Sequence, residues 1–98
     1  MAQFDVLRFE DAGFVIDCQS NLLDHLSTRV VVPLVDPAVV PAPLQRLHPH
    51  FEIGEERFLM ATHLIGAVPT SSLGSSAGSL ASEYLTITNA LDFLVTGI

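Results

Sequence analysis

The strongest constraint on the fold is a change of hydrophobic period at Leu80. From there Leu80, Tyr84, Ile87, Leu91, Leu94 and Ile98 recur at intervals of four, three, four, three and four. That spacing lays them on one stripe of an α-helix. Ala90 and Phe93 broaden the stripe. Ser79 or Ser82 stands where an N-cap is expected, and Gly97 stands where helices commonly end. Thr86-Ile87-Thr88 is β-branched and weak in helix propensity, so packing must hold the first turns.

Everything before that switch reads as strands and turns. Gln3 to Gln19 reads as a hairpin, with Asp11-Ala12-Gly13 as its turn and Phe14 to Cys18 as its return strand. Ser20 to Ser27 is a polar, leucine-bearing loop or short turn. Arg29-Val30-Val31-Val32 has the β-branched character of a buried strand, and Pro33 is expected to end its central part. Asp36 to Pro49 carries Pro37, Pro41, Pro43 and Pro49, which predicts an irregular connection or a small edge sheet. Phe51 to Met60 predicts a second hairpin turning at Ile53-Gly54-Glu55. Ala67-Val68-Pro69 is a short extended piece. Ser71 to Ser82 holds six serines and two glycines and reads as a flexible loop. The sum is a small antiparallel β domain with one appended C-terminal helix.

With 98 residues the chain has room for one domain, spanning 1–98. A hydrophobic fraction of 49% and a charged fraction of 15% exclude a disordered chain and leave apolar surface for a partner or a second subunit. Eleven acids face four arginines (Arg8, Arg29, Arg46 and Arg57) and no lysine, for a net charge of -7. Such a chain repels a polyanion, so direct nucleic-acid binding is disfavoured and a basic partner is favoured. The single cysteine, Cys18, lies in an apolar run and reads as a buried small hydrophobe. The N-terminus shows neither the basic nor the apolar part of a signal peptide. No apolar run approaches the ~20 residues that span a bilayer. The expectation is a cytoplasmic protein.

Catalytic patterns are weak. His48-Pro49-His50 could bring two imidazoles to one face, yet a metal needs three or four converging ligands, and no metal or cofactor is expected. The serines of 71–76 lack the Gly-x-Ser-x-Gly setting of an activated nucleophile. Gly74-Ser75-Ser76-Ala77-Gly78 lacks the lysine of a phosphate loop.

A set of ordered phrases carries more information. These are Asp17-Cys18-Gln19-Ser20-Asn21-Leu22-Leu23-Asp24, Arg29-Val30-Val31-Val32-Pro33-Leu34 and Leu47-x-Pro49. Phe51-Glu52-Ile53-Gly54-Glu55-Glu56, Met60-Ala61-Thr62 and Val68-Pro69-x-Ser71-x-Leu73-Gly74 follow. The last runs from Asn89 to Gly97-Ile98. Together they resemble the CcdB family of toxins over nearly the whole chain.

The resemblance implies a mainly β fold with one C-terminal α-helix, an SH3-like barrel of the CcdB/MazF type with a small inserted sheet. It implies a homodimer with its terminal helices near the two-fold axis. It also implies a non-enzymatic toxin that traps the DNA gyrase A subunit on cleaved DNA. Neutralisation would come from a CcdA-like antitoxin with a disordered C-terminal arm. The gyrase-binding positions carried over are Leu22, Leu23, Asp92, Val95, Thr96, Gly97 and Ile98.

The chain departs from the family pattern at three of these. Thr96 stands in place of the tryptophan of a terminal Trp-Gly-Ile, Asp92 in place of Asn, and Val95 in place of Phe. Two alternatives follow: a homologue that dimerises and binds antitoxin without poisoning gyrase, and a MazF-like endoribonuclease, which the acidic balance disfavours.

Overall fold

The structure, a computed structural model, describes residues 1–10 and 13–97. The expected turn at Asp11-Ala12 and the terminal Ile98 lie outside the described residues. Strands β1 (Asp5–Phe9) and β2 (Phe14–Asp17) form the first hairpin. β3 (Thr28–Val35) follows, then β4 (His50–Ile53) and β5 (Glu56–Met60), β6 (Gly66–Pro69) and β7 (Leu73–Ser79). Helix α1 (Tyr84–Thr96) closes the chain. Short 3-10 turns lie at Asn21–Leu23, Pro37–Val39, Thr62–Leu64, Thr70–Ser72 and Ala81–Glu83.

Among the described residues the strands form one curled antiparallel sheet in the order β4-β5-β3-β2-β1-β7, with β6 pairing β3 off that path. The expected inserted sheet is the β4–β5 hairpin, joined to β3 through Leu34–Met60 and Val35–Leu59. Gly54 turns it at a φ of 63°, a left-handed value that suits glycine.

Alternation along the strands sorts the side chains into two apolar clusters. Val6, Ile16 and Val32 line one face. With Met60, Leu80, Ile87 and Ala90 they make the main core beneath α1. Leu7, Val15 and Val31 line the other face, covered by Phe9, Val68 and Leu73. Cys18 is buried in the main core, as its apolar run predicts, and burial beside Asp17 pushes its thiol pKa up to about 12. It is an inert packing group rather than a nucleophile.

Three expectations are corrected. Pro33 does not end its strand, because β3 runs on to Val35. Its carbonyl accepts from the amide of Ala61 at 2.9 Å, so its missing N–H faces the same side. There β6 has stopped at Val31 and β5 begins at Leu34, and no ladder bond is lost. The segment read as a serine-rich loop is largely strand β7. Backbone pairing along β1 imposes it, with register shifts between Val6 and Leu7 and between Leu7 and Phe9. Gly78 at a φ of 150° sits at the first shift.

The helical stripe is also narrower than the spacing predicts. Ile87 and Ala90 are buried and Leu91 packs beside them, but Tyr84 is 53% exposed. The helix starts at Tyr84 with Glu83 at its cap position and no side-chain cap: Ser82 lies inside the preceding 81–83 turn, and the Ser79 hydroxyl accepts from the amide of Ala81 instead. Its entry is fixed by the amide of Leu80, which donates to the carbonyl of Phe4 at 2.8 Å. Its end follows the expectation: Gly97 adopts a φ of 74° and its amide donates to the carbonyl of Phe93.

Candidate functional site

Two surface features hold the candidate residues. The first is the loop after β2. A buried polar network pins its backbone. The Gln19 side chain accepts from the amide of Val30 at 3.0 Å and donates to the carbonyl of Leu23 at 2.8 Å. The Ser20 hydroxyl accepts from the amide of Leu22, and the Asn21 side chain accepts from the amide of Gln3. On this fixed backbone Leu22 is 88% exposed, with Leu23 and Leu26 exposed beside it. A rigid loop that presents leucine to water marks an interaction surface more than a packing failure.

The root of that loop contains a feature the sequence did not reveal. Asp17 and Arg29 form a fully buried ion pair, with Nε and Nη2 of Arg29 both donating to one oxygen of Asp17. The other carboxylate oxygen accepts from the amide of Gln19 at 3.1 Å. The register Asp17↔Val31 puts Asp17 on the β3 face that also carries Arg29.

The second feature is the last turn of α1. Val95 is 81% exposed and Asp92 and Thr96 are exposed near it. The Thr96 hydroxyl donates to the carbonyl of Asp92 at 2.7 Å. Gly97 follows in its left-handed cap. Asp92 places a carboxylate in the turn where the helix dipole favours cations, a local conflict of a few tenths of a kcal/mol. Phe93 points the other way, half-buried, with the Arg46 guanidinium 5.2 Å from its ring centre. The principal neighbours of α1 are the 62–64 and 81–83 turns. The structure therefore brings Asp92, Val95, Thr96 and Gly97 together, and leaves Leu22 and Leu23 on a separate element.

Two other surfaces were not anticipated. An apolar groove of about 340 Å³ runs beside β3, with Phe9, Phe14, Val35, Leu64 and Val68 among its walls. In the proline-rich segment, His48 pairs with His63 at 2.9 Å rather than with His50. Among the described residues no group of three or more His, Cys, Asp or Glu could hold a metal ion. No helix there is long and apolar enough to cross a membrane.

This fold and these surfaces meet a family match that spans nearly all of the chain. The family described as CcdB protein matches residues 3–97. The chain belongs to the CcdB family. Membership implies the toxin role in a toxin–antitoxin system and an antitoxin as partner. Among solved structures, an endoribonuclease in complex with its cognate antitoxin from Mycobacterial species is similar, with a TM-score of 0.79 and 15% identity. The match covers 97% of this chain and 94% of that one. At that identity the likeness concerns the fold, a curled antiparallel sheet with one C-terminal helix.

Proposed function

We propose that this CcdB family chain is a toxin that acts as a homodimer on the DNA gyrase A subunit, without enzymatic activity of its own. A CcdA-like antitoxin neutralises it. The observation that carries the reading is the exposure of Val95 at the end of α1, on the turn that also holds Asp92, Thr96 and Gly97. With Leu22, Leu23 and Ile98 these are the residues that would contact gyrase. Leu22/Leu23 and the helix tail lie on different elements of one chain, and a two-fold assembly gives a second copy of each for a larger contact. An antitoxin arm suits the remaining surface. Its basic residues would meet a chain of net charge -7, and its apolar residues suit the groove beside β3.

One observation favours a second reading, a homologue that binds antitoxin but poisons gyrase weakly. Thr96 spends its hydroxyl on the helix backbone and offers a partner little more than a methyl group. An endoribonuclease reading gains nothing from Arg29, which is 1% exposed and engaged with Asp17.

Thr96→Trp tests the contact that both readings share. Position 96 is exposed at the helix end, so a large ring there reaches a partner without disturbing the core. An interfacial tryptophan is commonly worth ~2 kcal/mol, roughly 30-fold in affinity. Titration of both proteins against a gyrase A fragment is expected to show tighter binding by the variant. Equal affinity would mean that the C-terminal turn is not the contact.

A further inference from the structure

We propose that His48 and His63 form a proton-operated clasp that holds the proline-rich segment before β4 against the 62–64 turn and opens when either ring takes up a proton. The geometry fixes the hydrogen positions. Nδ1 of His48 accepts from the amide of Leu44 at 3.0 Å, so Nδ1 carries no proton. The neutral ring must then carry its hydrogen on Nε2. That Nε2–H donates to Nδ1 of His63 at 2.9 Å, so Nδ1 of His63 must also be bare. The chain of bonds runs one way, from Leu44 through His48 to His63. The rings meet edge to face, with centroids 4.9 Å apart.

Such a chain has no place for another proton. A proton on His63 puts hydrogens on both nitrogens and sets N–H against N–H at the 2.9 Å contact. His48 could answer by moving its hydrogen to Nδ1, but the amide of Leu44 would then lose its acceptor. A proton on His48 has the same result. In every case one bond of the chain breaks. The same tautomer leaves Nε2 of His48 without a lone pair for a metal ion, which is why the pair is a clasp and not a chelate.

The clasp closes a structural join. The amide of His48 donates to the carbonyl of Leu44, and the Thr62 hydroxyl donates to the carbonyl of Leu47. Two residues before His48, Arg46 lies over Phe93 in the last turn of α1. His48 is 6% exposed whereas His63 is exposed, so the clasp reaches the surface on its His63 side.

The causes that act on His48 all run in this sense. Burial, then His63 and His50, lower the pKa of His48 below its ordinary value. Among the other groups on elements packed nearby, Glu52 lies on β4, Arg46 is engaged with Phe93, Asp92 lies on α1, and Arg29 of β3 is paired with Asp17. The sign follows. The closed form binds fewer protons than the open form, so closure is favoured above the ordinary histidine value of about 6.5 and is lost as pH falls below it. The clasp stands independently of what the helix tail binds.

Native-state hydrogen exchange on the full chain tests it, with the amide of Leu44 as reporter and that of Ile16 in β2 as reference. Between pH 7.5 and 5.5 the Leu44 protection factor is expected to fall by roughly tenfold or more, while that of Ile16 changes little. His63→Asn keeps an acceptor where Nδ1 stands but cannot be protonated, so its Leu44 protection should depend less on pH, the remaining dependence coming from His48. His63→Ala removes the acceptor and should leave Leu44 poorly protected at both pH values. Nitrogen-15 NMR at pH 7.5 should find His48 with its hydrogen on Nε2. The proposal is overturned by a Leu44 protection factor that is flat with pH or falls in step with Ile16. An unaltered pH response in His63→Asn, or a hydrogen on Nδ1 of His48, also overturns it.

Discussion

Arg29→Ala is expected to destabilise the fold by about 3–5 kcal/mol, because it strands a carboxylate in the interior. Asp17 is 0% exposed and Arg29 1%, so water cannot replace the guanidinium without opening the sheet. The loss spreads further than one bond. Asp17 holds the amide of Gln19, and Gln19 holds both Val30 in β3 and the Leu23 end of the exposed loop. Small domains have only ~5–15 kcal/mol in total, so the variant should be marginal, with a melting temperature lower by ~12 °C or more. Replacing both partners, as Asp17→Leu with Arg29→Met, should recover most of the loss, since a buried pair is worth little more than packed apolar groups. Chemical denaturation of the three proteins checks this. A loss under about 1 kcal/mol for Arg29→Ala would contradict the burial of the pair.

Ile87→Ala should cost about 2–5 kcal/mol and loosen α1 from the sheet. Ile87 is fully buried and touches the core formed by Val6, Ile16, Val32 and Met60. The first turns of α1 are poor helix formers, with Thr86, Ile87 and Thr88 in succession and no side-chain cap at Glu83. Intrinsic propensity cannot hold the helix when its packing is removed. Far-UV circular dichroism during urea unfolding should show a lower midpoint and earlier loss of helical signal. Leu85→Ala, one face away and 62% exposed, should change the midpoint little. Equal effects of the two substitutions would mean that the helix is not anchored through Ile87.

The period change at Leu80 made the helix legible, and Gly97 marked its end, because both signals are local. The two hairpins were legible for the same reason. Strand β7 was not, since its serines and glycines carry no strand propensity and only the neighbouring β1 supplies the ladder. The Asp17–Arg29 pair depends on the β2–β3 register, which no single segment encodes. The His48–His63 contact likewise depends on register. The β4–β5 pairing His50↔Leu59, carried back beyond the strand, sets His48 opposite the start of the 61–64 stretch. At the helix tail the sequence marked the residues, but their exposure is a property of the packed fold.

The central claim is that this chain stops gyrase through the end of α1. A plasmid supercoiling assay with gyrase from the host that encodes the chain tests it most directly. Wild type is compared with Val95→Asp, whose fold is checked by circular dichroism. Wild type is predicted to block supercoiling and to accumulate cleaved DNA, while Val95→Asp, which adds a charge at an apolar contact, is predicted to inhibit far less. Unimpaired supercoiling at saturating wild-type protein, or equal inhibition by a folded Val95→Asp, would contradict the account.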